Sequence, residues 1–243
     1  MSEHAHATSS KNLVWSIGIN VIIVAAEVVF GLLSGSFALI AEALHNVTDI
    51  GSMGLSLWGE KLADRPQTDR KTYGYKRAEI LIAFVNGSVL LAIVGYVLVE
   101  GVLRLLKPEP VSSLTVMAVA AVALVGNGLA TYLLQKNAEK NLNLKSAWLH
   151  AMQDAVFSLG VLVSAGVIYF TQWNWLDPLV SIVISLYLLK AIYEILSDTV
   201  HMLLDSVPAD LELSTVRAQM LSVEGVVSVN DLHIWQAAAR AAS

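Results

Sequence analysis

Long apolar runs alternate with short polar breaks along most of the chain. A helix needs about 20 mostly apolar residues to cross the hydrocarbon layer of a bilayer. Runs of about this length predict six transmembrane helices, at about residues 13–33, 37–60, 78–106, 114–134, 145–170 and 176–196. The sixth run is expected to continue as an amphipathic helix to Leu204. The pattern therefore predicts an all-α polytopic membrane protein.

Positive charge is concentrated in two of the loops between these runs. The loop after the second run holds Lys61, Arg65, Arg70, Lys71, Lys76 and Arg77, and the loop after the fourth holds Lys136, Lys140 and Lys145. The turns at 34–36 and 171–177 contain no Lys or Arg, and the remaining connection has only Arg104 and Lys107. Because loops rich in Lys and Arg stay in the cytoplasm, we expect both chain ends to be cytoplasmic.

The final part of the chain has a different pattern. Residues 209–222 predict an amphipathic helix, and residues 225–235 alternate in the manner of a strand. One helix and one strand cannot bury a core of their own, so we expect an incomplete, truncated α/β segment. The predicted divisions are a disordered tail at 1–12, a six-helix transmembrane transport domain at 13–205 and a partial cytoplasmic domain at 206–243.

Composition agrees with a membrane protein and narrows its chemistry. Hydrophobic residues make up 56% of the chain and charged residues 14%, whereas soluble domains average about 45–50% and about 25%. The net charge of −5 offers no basic surface for nucleic acid. Cysteine is absent, so imidazole and carboxylate are the strong metal ligands available, which disfavours a copper(I) site.

Two His-x-x-x-Asp pairs lie inside the apolar runs. His45 and Asp49 are in the second run, and His150 and Asp154 are in the fifth. Residues four apart share one face of a helix. Inserting an ionised Asp at the centre of a bilayer costs about 2.5–3.5 kcal/mol, so such residues are rare unless they serve a function. Two nitrogens and two oxygens form a tetrahedral set suited to a zinc-like ion, and we predict a metal site built from these four side chains.

Other polar residues allow more than one interpretation. Glu42 either orients a metal-bound imidazole or faces water, and Glu27 either lines a cavity or bonds across helices. His201 and Asp205 form a third pair at the predicted cytoplasmic end of the sixth run, which we interpret as a coincidence or a surface charge pair. Asp205 is also placed to pair with Arg77 at the same membrane level.

Several of these features together resemble one transporter family. They are the two pairs, the six-span layout, the segment Thr72–Glu79 before the third span and the segment Asp231–Trp235. From about Leu13 to Trp235 the chain resembles the cation diffusion facilitators. The resemblance implies a homodimeric antiporter of the bacterial inner membrane that exchanges zinc, or cadmium, cobalt, iron or manganese, for protons. It also implies zinc as the transported substrate, no organic cofactor, and a transport site at the same four residues.

The chain departs from the family pattern in two places. Some members bind a second metal in the loop before the third span through Asp and His, but here Asp69 has Lys71 and Tyr75 as neighbours, so we expect no site there. The family's cytoplasmic domain is an αββαβ fold, of which only the first helix and strand are expected here. His233 matches a metal-binding neighbourhood of that domain without its usual partners, so we expect no regulation by cytoplasmic metal.

Metal binding requires neutral imidazole and ionised carboxylate, so it competes with protons. We expect exchange of one divalent ion for about two protons, in a secondary active transporter without catalytic residues. One alternative is an intramembrane metal-dependent hydrolase with Glu42 as its base. Four protein ligands fill the coordination shell of the metal, which favours transport over catalysis, and the His-Glu-x-x-His motif that is usual in such hydrolases is absent. The other is a metal-binding membrane protein that does not transport.

Overall fold

The computed structural model describes residues 21–138 and 142–236. The predicted tail at 1–12, the start of the first span and the last seven residues of the chain lie outside this part. The helices, numbered in chain order, are α1 Val21–Ser34, α2 Phe37–Ala63, α3 Ala78–Leu106, α4 Ser113–Ala138, α5 Leu142–Thr171, α6 Leu176–Leu203 and α7 Leu213–Leu221. Between Val21 and Gln236, the described residues contain no strand.

Four of the helices are long and apolar enough to cross a membrane. These are α3, α4, α5 and α6, and they lie where the third to sixth spans are predicted. The described part of α1 is shorter, and α2, which carries polar residues such as His45 and Asp49, is not among the four. The mostly helical membrane fold is confirmed, and the number of six spans stays a prediction.

Two compact units make up the described residues. One contains residues 21–49 and 92–189, and the other contains 50–91 and 190–236. In the first unit, small side chains let helices approach closely. A Cβ on Gly31 would lie 2.9 Å from Ile40 Cγ1, and one on Gly126 would lie 2.9 Å from Ile23 Cδ1. These two glycines therefore bring α1 close to α2 and to α4.

The beginning of α2 is capped by the beginning of α6. The first N–H groups of any helix lack partners within the helix. Here the N–H groups of Phe37 and Ala38 donate to Asp177 Oδ2, at 2.7 and 3.3 Å. Ser36 accepts from the N–H of Leu39 and donates its own hydroxyl to Asp177. This buried cap fixes the start of α2 about two turns before the polar residues of its middle.

The second unit contains one predicted ion pair. Arg77 pairs with Asp205, as expected from their predicted position at the same level of the membrane. The ring nitrogen Nδ1 of His201 lies 3.4 Å from Ser206 Oγ. The third His-x-x-x-Asp motif therefore contributes its aspartate to a charge pair with Arg77.

The strand predicted at 225–235 does not form in the described part of the chain. A strand needs a neighbouring strand to pair its N–H and C=O groups, and the residues described here supply none. The helix predicted at 209–222 is shortened to Leu213–Leu221, and it buries no residue. An amphipathic helix gains most of its stability from packing, which explains the short length. The α/β description of this segment is not confirmed.

Candidate metal centre

The structure brings the two His-x-x-x-Asp pairs together between α2 and α5. One ligand atom from each of His45, Asp49, His150 and Asp154 lies within 4.8 Å of the other three. On each helix the four-residue spacing places both side chains on the face that meets the other helix. The four-residue spacing predicts that these faces meet, and the geometry agrees. Metal binding by the cluster stays a prediction.

Imidazoles and carboxylates alternate around the cluster. His45 contacts Asp154 through Nε2 at 3.2 Å and Asp49 through Nδ1 at 3.6 Å. His150 Nε2 lies 3.5 Å from Asp49 Oδ2 and 3.6 Å from Asp154 Oδ2. Ligands on a tetrahedral zinc ion with bonds of about 2.0–2.1 Å are separated by about 3.3 Å. These four contacts are near that spacing but use both ring nitrogens of His45, whereas the set with one ligand atom from each residue lies within 4.8 Å.

Three buried atoms of the cluster have no hydrogen-bond partner in the described structure. They are His45 Nδ1, Asp49 Oδ2 and Asp154 Oδ1. Buried polar atoms in proteins are nearly always paired. Because these atoms belong to one cluster of compatible ligand types, the donor set fits a bound cation.

One end of the cluster is much more exposed than the other. The side chains of His45 and Asp154 are 5% and 6% exposed, whereas those of His150 and Asp49 are 45% and 35% exposed. Asp49 follows His45 along α2, and His150 precedes Asp154 along α5. The cluster is therefore open toward the C-terminal half of α2 and the N-terminal half of α5.

The residue pattern did not predict which groups surround His45. Gln153 Nε2 lies 3.0 Å from His45 Nε2, and the Tyr187 hydroxyl donates to Gln153 Oε1 at 2.5 Å. The ring of Phe157 packs edge-on against that of His45, with centroids 5.1 Å apart. The position of Gln153 next to Asp154 was a weak signal, whereas Tyr187 is an ordinary aromatic residue on an apolar helix and gave none.

Glu42 takes neither of the two roles considered for it. Its side chain is 1% exposed, so it does not face water. The hydroxyl of Ser158 donates to Glu42 Oε1, and Asn127 Nδ2 donates to the same serine at 3.4 Å. Glu42 thus joins α2 to α5, and through Ser158 to α4, in a buried polar network.

Of the two interpretations of Glu27, lining a cavity or bonding across helices, the structure supports the second. It is fully buried in α1 and accepts a hydrogen bond from Asn46 Nδ2 at 2.9 Å. Asn46 directly follows His45, so this bond links α1 to α2 next to the cluster. In the other unit, the side chain of His233 is exposed, and its Nε2 atom lies 3.1 Å from Asp231 Oδ1.

Comparison with known proteins gives consistent results. The cation efflux transmembrane domain matches residues 13–204. The zinc transporter ZitB of Pectobacterium atrosepticum is 34% identical over 235 residues, which cover 96% of this chain and 73% of that protein. The metal cation efflux system protein CzcD of Cupriavidus metallidurans is 37% identical over 210 residues, covering 86% of this chain and 66% of that protein.

A third relative is described as an exchanger. The cadmium, cobalt and zinc/H(+)-K(+) antiporter of Bacillus subtilis is 33% identical over 211 residues, covering 86% of this chain and 68% of that protein. The chain thus spans about two thirds to three quarters of the length of these relatives. Their bacterial origin and the apolar helices support a multi-pass protein of the inner membrane. The chain belongs to the cation efflux family, the cation diffusion facilitators, and is a transporter rather than an enzyme.

Proposed function

We propose that this protein is a secondary active transporter that exports Zn²⁺ from the cytoplasm in exchange for protons. The observation that carries the proposal is the cluster of two imidazoles and two carboxylates between two helices of the membrane domain. The names of the relatives, which include a zinc transporter and a metal/H(+)-K(+) antiporter, support the same activity.

The donor set favours zinc over calcium, magnesium and copper(I). Two nitrogens and two oxygens suit Zn²⁺, which accepts both ligand types and is usually bound by four ligands. Calcium and magnesium prefer six or more oxygen ligands. Copper(I) prefers sulfur, and the chain has no cysteine. We therefore assign zinc as cargo, held by His45, Asp49, His150 and Asp154.

The exposure of the cluster, combined with the charge of the loops, supports export as the direction of transport. With both chain ends in the cytoplasm, α2 runs inward and α5 runs outward. Asp49 and His150, the more exposed pair, then lie toward the cytoplasm, and His45 and Asp154 lie deeper. In this arrangement the more exposed pair lies on the side from which an exported ion is loaded.

Charge balance explains why protons are exchanged. Two ionised aspartates with Zn²⁺ and two neutral histidines carry no net charge, and neither do two ionised aspartates with two protonated histidines. An empty site with neutral histidines holds two uncompensated anions, which is costly in a low-dielectric interior. Histidine is suited to this exchange because its ordinary pKa of about 6.5 lies in the working range. About two protons therefore enter for each zinc ion that leaves.

The architecture that we propose around this site is the one the sequence predicts. It has six spans in a transport domain at 13–205, both ends in the cytoplasm and two copies in a homodimer, as the family resemblance implies. The tail at 1–12 and the segment at 206–243 lie outside the membrane in this arrangement.

Zinc uptake into proteoliposomes with an outwardly directed proton gradient tests the function. We expect Asp49→Asn to lower zinc uptake at least about 100-fold, because removing a ligand costs more than the 10- to 100-fold loss seen for groups that only support ligands. Glu194→Gln is the control, since Glu194 is an exposed carboxylate on α6. Uptake by Asp49→Asn at the wild-type rate would contradict the proposal.

A further inference from the structure

We propose that a cavity in the second unit binds the headgroup of an anionic phospholipid. The cavity lies between the loop before α3 and the segment that follows α6, and both of these belong to that unit. We call it the headgroup cavity. The inference goes beyond the proposed function, because none of the residues that line the cavity belongs to the predicted zinc ligands.

The headgroup cavity lies at the ends of two membrane helices. Arg77 directly precedes α3, and Asp205 follows shortly after the end of α6. These two residues form an ion pair, and both line the cavity. Charged side chains are costly inside hydrocarbon, so the pair marks the level at which α3 and α6 leave the apolar layer. With both chain ends in the cytoplasm, this level is the cytoplasmic surface of the bilayer, where the headgroups of phospholipids lie.

The walls of the headgroup cavity combine aliphatic and aromatic side chains. Its volume is about 890 Å³, which is in the range of cavities that hold small ligands. The aliphatic side chains of the wall are those of Val207, Leu213, Leu232 and Ile234. Tyr73 and Trp235 also line it, and both are exposed. Because Trp and Tyr are enriched at the headgroup level of membranes, such walls suit a lipid better than a free inorganic anion.

Positive charge exceeds negative charge on the wall of the headgroup cavity. Lys76 and Arg77 line it, and Asp205 is the one carboxylate among the described residues that do so. Arg77 pairs with Asp205, whereas Lys76 makes none of the ion pairs found in the described part of the chain. His233 also lines the cavity and contacts Asp231, which does not. Lysine binds phosphate as a point charge, and basic pockets on the cytoplasmic side bind anionic headgroups. The unpaired Lys76 therefore favours a lipid with net negative charge over a zwitterionic one.

A bound headgroup would connect two parts of the second unit. Helix α7 buries no residue, and residues 207–236 form no strand within the described structure, so this segment has little packing of its own. Residues 207–235 supply one wall of the headgroup cavity, and residues 73–77 supply the other. A headgroup between the walls contacts both, so anionic lipid should slow hydrogen exchange in residues 232–235.

Lipid titration of the full chain in neutral detergent, followed by native mass spectrometry, tests the inference without zinc. We expect dioleoylphosphatidylglycerol to bind more tightly than dioleoylphosphatidylcholine. Lys76→Gln should weaken binding of the anionic lipid about 5-fold, which is the contribution of one basic residue near an anionic surface. Lys76 is exposed, so this substitution should leave the fold intact. Lys61→Gln is the control, because Lys61 is an exposed lysine in the last turn of α2 that does not line the cavity, and it should match the wild type.

Hydrogen exchange in nanodiscs gives a second readout. In the wild type, residues 232–235 should exchange more slowly in phosphatidylglycerol than in phosphatidylcholine, and Lys76→Gln should remove the difference. Equal binding of the two lipids, or unchanged binding of the anionic lipid by Lys76→Gln, would overturn the inference. Competition by glycerol 3-phosphate at the concentration of the lipid would identify a site for a free anion and would also overturn it. Equal protection in both nanodiscs would indicate that protein, such as a second copy of the chain, covers the cavity, with the same consequence.

Discussion

His45 lies close to both predicted aspartate ligands and to two further side chains. Its two ring nitrogens lie within 3.6 Å of Asp49, Asp154 and Gln153, and its ring packs against Phe157. The residue spacing in the sequence was enough to predict His45 and its carboxylate partners, because helical periodicity determines which side chains share a face. It was not enough to predict Gln153 or Tyr187, since their roles depend on rotamers and on how α5 and α6 pack.

The buried network at Glu42 is a second feature at this scale that the sequence did not reveal. A carboxylate one turn before a histidine suggests support for that histidine, yet the structure pairs it with Ser158 on another helix. Helix packing determined the partner, and no local spacing encodes it.

Ser158→Ala tests how much this network contributes. Removing the hydroxyl leaves Glu42 Oε1 buried without that donor, which costs about 1–3 kcal/mol in the free energy of unfolding. Ser164→Ala is the matched control, because Ser164 is a buried serine on the same helix that donates to the carbonyl of Val161 in its own helix. In detergent, the thermal unfolding midpoint should fall clearly for Ser158→Ala and change little for Ser164→Ala. Equal falls would contradict this account.

At the scale of elements, the apolar runs predicted most of the helix positions. The third to sixth predicted spans coincide with α3 to α6 within a few residues, because only a helix satisfies backbone hydrogen bonds in a bilayer. The C-terminal strand was predicted from alternation alone, which says nothing about a pairing partner. The cap that joins α2 to α6 was not predicted, because it links residues about 140 positions apart.

Asp177 holds the start of α2, so its substitution should loosen that helix. Asp177→Ala removes the acceptor of two backbone N–H groups and of the Ser36 hydroxyl, and we expect it to lower the free energy of unfolding by about 1–3 kcal/mol. Asp177→Asn keeps an acceptor oxygen and caps helices about as well, so its effect should be smaller. Hydrogen exchange at the start of α2 reports the loosening directly. Equal exchange in all three proteins would argue against the cap.

Alanine substitutions at two glycines are expected to change the free energy of unfolding in opposite directions. Gly31→Ala would place a Cβ 2.9 Å from the side chain of Ile40 and 3.3 Å from its backbone nitrogen, and backbone cannot easily yield. We expect it to cost about 1 kcal/mol or more, even after the gain in helix propensity. A Cβ on Gly95 would have no other atom within 4 Å, so Gly95→Ala should stabilise α3 by about 0.5–1 kcal/mol. Thermal midpoints that shift in the same direction would contradict this contrast.

At the scale of the whole molecule, the proposed function depends on the charge of the site in each loaded state. The proposed exchange carries two charges out with the metal and two in with the protons, so the complete cycle moves no net charge. This property does not follow from the geometry of any single residue. It follows from the two aspartates and two histidines acting together in a low-dielectric interior.

Simultaneous recording of zinc and proton flux in the same proteoliposomes tests this account most directly. We predict about two protons entering for each zinc ion leaving, at a rate that follows the pH gradient and does not change when a potassium diffusion potential is imposed. Zinc transport without proton movement, or a flux that follows the membrane potential, would contradict the exchange.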